Sequence, residues 1–356
     1  MSRLTISRRN FLAVGGAALA TPWIGGRTAW AQGKQLYVIT YMGTVGTYIA
    51  DTVIPEFQKK FGCTVFQKQN NTLPNISTLR SERSNPTTSV VMIDDLAVPI
   101  AKQENLLQPL PTDKIPNLAK LHEGYTYGDN YGAAVLISKV APWYNTASLE
   151  PAPTSWADLW DERLRGRFLM VTPKWTQNVM LVAMAASLKT GKPVADAQYE
   201  MLNVAEKLTE LRPNVQAIHE NVGSAVLQVA QGQADIGGPD FAKNIYPYVN
   251  SGAPINVLNP KEGSFAGVNA IGLVNNAPEP ELGAAFIDYL LSPEHQKGLA
   301  EMSYAAPAVR DVALSEEAAK FMPTDPAEIA KLLKLDWAWI NPRRNQIIDL
   351  VNQTFG

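Results

Sequence analysis

Leu36-Tyr37-Val38-Ile39-Thr40-Tyr41-Met42-Gly43-Thr44 is a short apolar run delivered into a polar, glycine-containing loop. A helical stripe follows, with Ile49, Val53, Phe57 and Phe61 at i+4 spacing and Gly62 placed to close it. Pro55 lies inside the stripe and is expected to break it into two short helices. Thr64-Val65-Phe66 then restarts a strand pattern. Strand, helix, strand in about thirty residues is the mark of an α/β chain with parallel strands.

Working outward, the alternation continues. Ser89-Val90-Val91-Met92-Ile93 is a further strand ending in Asp94-Asp95, followed by a helix from Leu96 to Glu104. An extended apolar segment runs from Tyr131 to Trp143. A short helix is expected over 156–164 and a strand over 167–171. Thr172-Pro173-Lys174-Trp175-Thr176-Gln177-Asn178 opens an apolar helix to about Lys189, with Thr172 or Thr176 as its cap. A helix over 222–231 precedes strands at 234–237, 255–258 and 270–274, with Glu262-Gly263-Ser264 as a return crossing. Helices are expected over 280–291 and from Ser292 to Met302, and further helices over 313–356.

The N-terminus carries an address. Ser7-Arg8-Arg9-Asn10-Phe11-Leu12 resembles a twin-arginine export motif, and Ala29-Trp30-Ala31 suits signal-peptidase cleavage before Gln32. The uncharged run Leu12–Ile24 is shorter than the roughly 20 residues of a spanning helix. Residues 1–31 hold four of the 31 basic residues and none of the 33 acidic ones, so the exported chain carries a net charge of −6. That balance argues against a nucleic-acid or anionic-membrane partner. Cys63 is the single cysteine, so no intramolecular disulfide forms, and it reads as a small packing residue. Some 325 residues after cleavage suggest two lobes.

Four stretches carry a family resemblance: Val53-Ile54-Pro55-Glu56-Phe57-Gln58-Lys59-Lys60-Phe61-Gly62, Ser155-Trp156-Ala157-Asp158-Leu159-Trp160, Gln231-Gly232-Gln233-Ala234-Asp235-Ile236, and Ala285 through Glu294. In this order and spacing, over about residues 35–310, the chain resembles bacterial extracellular solute-binding proteins of ABC importers, in the branch of the spermidine/putrescine-binding proteins. The resemblance implies a type II periplasmic binding fold, in which two α/β lobes joined by crossing strands clamp a ligand in a cleft. It places 32–137 with 268–310 in lobe 1 and 138–267 in lobe 2, with C-terminal helices over 311–356 bracing one lobe. It implies a periplasmic, monomeric, non-enzymatic protein that hands a small organic solute to an inner-membrane permease, with no cofactor.

In open α/β sheets ligands sit beyond the carboxyl ends of the strands. That rule selects Tyr41 and Thr44 after the first strand, Asp94 and Asp95 after the third, and Lys174, Trp175, Thr176 and Asn178 at a helix start. It also selects Asp240 and Phe241, Asn269 beside the returning strand, and Tyr304. Tyr41 and Tyr304 match aromatic positions of the polyamine-binding relatives. Those relatives carry acids at the helix start and in the returning segment. Here Lys174 to Asn178 and Asn269 stand there instead, so a ligand with an anionic end, such as a zwitterion, fits as readily as a polyamine. One of Asp94 and Asp95 is expected to cap the next helix.

Two other classes stay in view. Ferric-ion-binding proteins share the architecture and use neighbouring tyrosines, but no Tyr-Tyr pair occurs, and His122, His219 and His295 are far apart on what read as helical or surface segments. An exported hydrolase would need a nucleophile with a base. The chain has no Gly-x-Ser-x-Gly elbow, no His-Glu-x-x-His and no phosphate loop.

Overall fold

A computed structural model describes residues 33–323 and 325–356; the export segment expected at 1–31 lies outside the described residues. Among the described residues, twelve strands form in chain order. They are β1 (Gln35–Tyr41), β2 (Thr64–Asn70), β3 (Val90–Asp94), β4 (Leu107–Gln108), β5 (Thr126–Tyr127), β6 (Gly132–Asn145), β7 (Phe168–Val171), β8 (Val215–His219), β9 (Ile236–Phe241), β10 (Ile255–Val257), β11 (Phe265–Val274) and β12 (Ala306–Pro307).

The order along the sheet is β2-β1-β3-β11-β6-β9-β7-β8. β1 pairs in parallel with β2 and β3, and β7 pairs in parallel with β8 and β9. Between these triplets run the two longest strands, β6 and β11, antiparallel to each other and to their outer neighbours. Two α/β lobes joined by crossing strands result, a type II periplasmic binding fold. All ten residues of β11 are buried, as a strand covered on both faces requires.

Register brings the two halves together at one point. Asn269 pairs with Asp94, the last residue of β3, and Val140 pairs with Phe241, the last residue of β9. Gly267 pairs with Ser138 between them. The carboxyl ends of both parallel triplets therefore converge on the crossing, where loops and helix starts meet.

Several expected elements differ in detail. Residues 44–61 run as α-helix Thr44–Tyr48, a π turn over Ile49–Val53 and α-helix Ile54–Phe61, without the break expected at Pro55. The widened π turn carries the hydrogen-bond ladder past a residue that has no N–H to give. Gly62 closes the helix with φ 65°. The helix Thr176–Thr190 starts at Trp175 with no side-chain cap, so neither Thr172 nor Thr176 caps it. Its residues Gln177–Ala186 are all buried, which makes it the central helix of its lobe. The 156–164 segment is two 3-10 turns. Strand β8 and the helices Thr72–Ser81, Ala205–Leu211 and Ala242–Asn250 had no sequence expectation.

The C-terminal segment touches both lobes, where bracing of one was expected. Trp337 and Asn341 bond to Asp95 and to the Leu96 carbonyl, whereas helix Arg344–Phe355 packs on the helices of residues 176–211. Its apolar face (Ile347, Val351) is buried there, in the same apolar cluster as the buried residues of helix Thr176–Thr190.

Candidate functional site

Asp94 is the hub of the crossing. Its Oδ1 accepts from the Tyr41 hydroxyl at 2.7 Å and from Asn269 Nδ2 at 3.0 Å. Its Oδ2 accepts from the Thr72 hydroxyl at 2.7 Å, and its own N–H donates back to Thr72 Oγ1 at 3.1 Å. Each hydroxyl has one proton, and both are directed at the carboxylate. The 3.1 Å approach of Tyr41 Oη to Thr72 Oγ1 therefore lacks a proton of its own. Burial, and then the Asp94 charge, push the Tyr41 phenol well above its ordinary pKa, so it stays a donor.

From the other lobe, Lys243 reaches the same amide. Its ammonium donates to Asn269 Oδ1 at 2.8 Å. Burial lowers its pKa, opposed by the charges of Asp94 and Asp240. The ammonium also lies 5.3 Å from the centre of the Phe241 ring. That ring rests on the backbone of Gly267, where a Cβ would come within 2.2 Å of it. Only glycine at 267 allows this approach.

Asp240 is fully buried. Its Oδ1 accepts from Phe241 N at 2.6 Å, Asn244 Nδ2 at 2.9 Å and Gln177 Nε2 at 3.3 Å, whereas its Oδ2 is buried without a partner. Burial pushes its pKa up to about 6. Nearby, the Trp175 and Trp143 rings meet the His219 imidazole edge-on. Both His219 ring nitrogens are buried and unpartnered, and burial lowers its pKa to about 4, so it is neutral. His122 and His295 are buried too: His295 lies in helix Pro293–Ser303, a helical setting as expected, and none of the three histidines sits on the surface.

The structure thus brings together Tyr41, Asp94, Asn269, Asp240 and Phe241 of the expected residues. Others lie apart. The Lys174 ammonium is exposed and paired with Glu220 at 2.7 Å, because Glu220 directly follows β8, the neighbour of β7. Asn178 is buried and donates to the Val171 carbonyl. Trp175 and Thr176 are half-buried, and Thr44 is exposed. Tyr304 packs on Phe321 and accepts from Asn250 at 3.0 Å. Asp95 points elsewhere, accepting from Leu96 N and Trp337 Nε1, and neither aspartate side chain caps a helix start.

Thr72, Lys243, Gln177 and Asn244 escaped the sequence reading. Thr72 opens the helix after β2 and Lys243 the helix after β9, so the same carboxyl-end rule reaches both once those helices are known. Among the described residues, no group of three His, Cys, Asp or Glu is placed to hold a metal ion, and no helix is long and apolar enough to cross a membrane.

Residues 52–327 match the family model described as bacterial extracellular solute-binding protein. A periplasmic protein of Salmonella typhimurium, whose name proposes 2-aminoethylphosphonate as its ligand, is 27% identical over 269 residues, 73% of this chain and 74% of that protein. Spermidine/putrescine-binding periplasmic protein 1 of Haemophilus influenzae is 25% identical over 264 residues, 70% of each chain. The crystal structure of an ABC transporter protein from Clostridium perfringens superposes with a TM-score of 0.78, covering 90% of this chain and all of that one, at 21% identity.

Proposed function

Because the chain belongs to the bacterial extracellular solute-binding protein family, as a substrate-binding component of an ABC transporter and not an enzyme, we propose that its solute is a small zwitterion. The solute is an amine that carries a phosphonate or carboxylate, such as 2-aminoethylphosphonate.

One observation carries this reading: the acid and the base of the crossing, Asp94 and Lys243, meet on the two ends of a single amide, Asn269. A ligand with both charges satisfies both. Its ammonium pairs with Asp94 under the Tyr41 ring, and its acidic group takes Lys243 and the helix start at Thr176. A diamine would find carboxylates in Asp94 and Asp240, but would set an ammonium against Lys243. Like charge in a desolvated site costs several kcal/mol.

The reading includes twin-arginine export with cleavage after Ala31, action as a monomer, and lobes bounded at 32–137 with 268–310 and at 138–267. The ligand closes these lobes about the crossing and is passed unaltered to the permease. Titration calorimetry of the exported chain with 2-aminoethylphosphonate, amino acids, putrescine, spermidine and ferric ion tests it. Saturable binding of a zwitterion, with the polyamines at least a hundredfold weaker, is expected. Tight putrescine or ferric-ion binding with no zwitterion response would overturn it.

A further inference from the structure

Asp94 and Asp95 are neighbours in the chain, yet they face different spaces. Asp94 belongs to the cleft. Asp95 lines a separate cavity of about 800 Å³ between helix Val98–Gln103, strand β5 and the C-terminal segment 334–342. Apolar groups supply much of its wall, from Pro99, Ile100, Leu335 and Trp337. None of the residues of the Asp94–Lys243 cluster lines it.

Two acids, Asp95 and Asp336, and two lysines, Lys102 and Lys334, line this cavity, but Asp95 stands outside the ion pairs. The two Asp95 oxygens accept from neutral donors, Leu96 N at 2.9 Å and Trp337 Nε1 at 3.0 Å. Both wall lysines are committed elsewhere. Lys102 pairs with Asp129, and Lys334 donates to the Gly124 carbonyl while lying 3.8 Å over the Tyr125 ring. Asp95 therefore has no ion pair among the described residues. Burial, and then the neighbouring Asp94 charge, raise its pKa to about 7. A second polar atom is also unspent: Tyr127, another wall residue, has a buried hydroxyl with no partner. Leaving such a group unmet costs free energy that a ligand would recover.

We propose that this cavity is a second ligand site, distinct from the cleft, that takes a small organic cation: a primary amine on an apolar or aromatic body. The ammonium pairs with Asp95 and donates to Tyr127, and the body lies along Trp337 and Ile100. A carboxylate in no ion pair, an unmet hydroxyl and apolar walls complement that chemistry.

The test is calorimetry of the full exported chain with phenethylammonium, against 2-phenylethanol as its neutral counterpart. Saturable phenethylammonium binding is expected. Asp95→Asn should weaken it at least tenfold and leave 2-phenylethanol unchanged, while Lys174→Glu, at an exposed residue outside the cavity wall, leaves both unchanged. Ile100→Trp, which fills the cavity from a half-buried position, should abolish binding of both probes and serves if Asp95→Asn does not fold. Absence of saturable binding, or phenethylammonium binding that Asp95→Asn and Ile100→Trp both leave unchanged, would overturn the site.

Discussion

Lys243 donates to Asn269 across the crossing at 2.8 Å, joining a helix that follows β9 to a strand that returns beside β3. The same amide donates to Asp94 at 3.0 Å. A base from one lobe and an acid from the other are thus held one side chain apart. In the uncharged amide's place a carboxylate would bind Lys243 outright and repel Asp94. Asn269 keeps both charges available to a ligand.

Lys243→Met is expected to weaken zwitterion binding at least tenfold, about 1.4 kcal/mol. Lys174→Glu should change it less than twofold, since the Lys174 ammonium is exposed and already spent on Glu220. Calorimetry on the two variants decides between them. A tenfold loss with Lys174→Glu and none with Lys243→Met would return the anion site to the position expected from sequence.

Asp240 makes stability depend on pH. Its folded pKa, about 6, lies above the ordinary carboxyl value, so the folded state holds a proton that the unfolded state has released. The stabilisation is complete below about pH 4 and is lost as pH rises through 6, by up to about 3 kcal/mol. Asp240→Asn lacks this loss. Its melting temperature relative to the parent should therefore rise between pH 4 and pH 7, and a flat difference would show that Asp240 titrates normally.

Gly267→Ala should drive the Phe241 ring off the crossing, because the new Cβ would lie 2.2 Å from a ring carbon. A destabilisation of about 1–3 kcal/mol and a marked loss of ligand affinity are expected. Adding Phe241→Ala should recover much of the stability in a double-mutant cycle, since it removes the atom struck. Additive losses would mean that Val140, 2.9 Å from the same Cβ, is the obstacle.

Export is read from Arg8-Arg9 and Ala29-Trp30-Ala31. Changing both arginines to lysine should hold precursor in the cytoplasm, and the secreted form should begin at or near Gln32. Mass spectrometry of the periplasmic protein checks both, and an intact Met1 there would contradict them.

The sequence by itself determined the α/β class and most strands, because apolar runs ending in Gly, Asp or Pro are local signals. It also determined Tyr41, Asp94, Asp240, Phe241 and Asn269 as candidates, since a strand's end is legible wherever the strand is. Thr72 and Lys243 were not legible. The helix Thr72–Ser81 has little apolar periodicity, and the helix Ala242–Asn250 contains Pro247, so neither announced itself.

Tertiary structure alone decided direction. Asp94 and Asp95 stand side by side in the chain, but Asp94 ends a strand and Asp95 begins a 3-10 turn, and their side chains part, one to the cleft and one to Trp337. Lys174 is drawn to Glu220, 46 residues on, by the parallel pairing of β7 and β8. Lys243 reaches Asn269 because β6 lies between β9 and β11. Composition and spacing fix which charges a chain owns. Which of them meet depends on pairings between residues far apart in sequence, and those exist only once the sheet has formed.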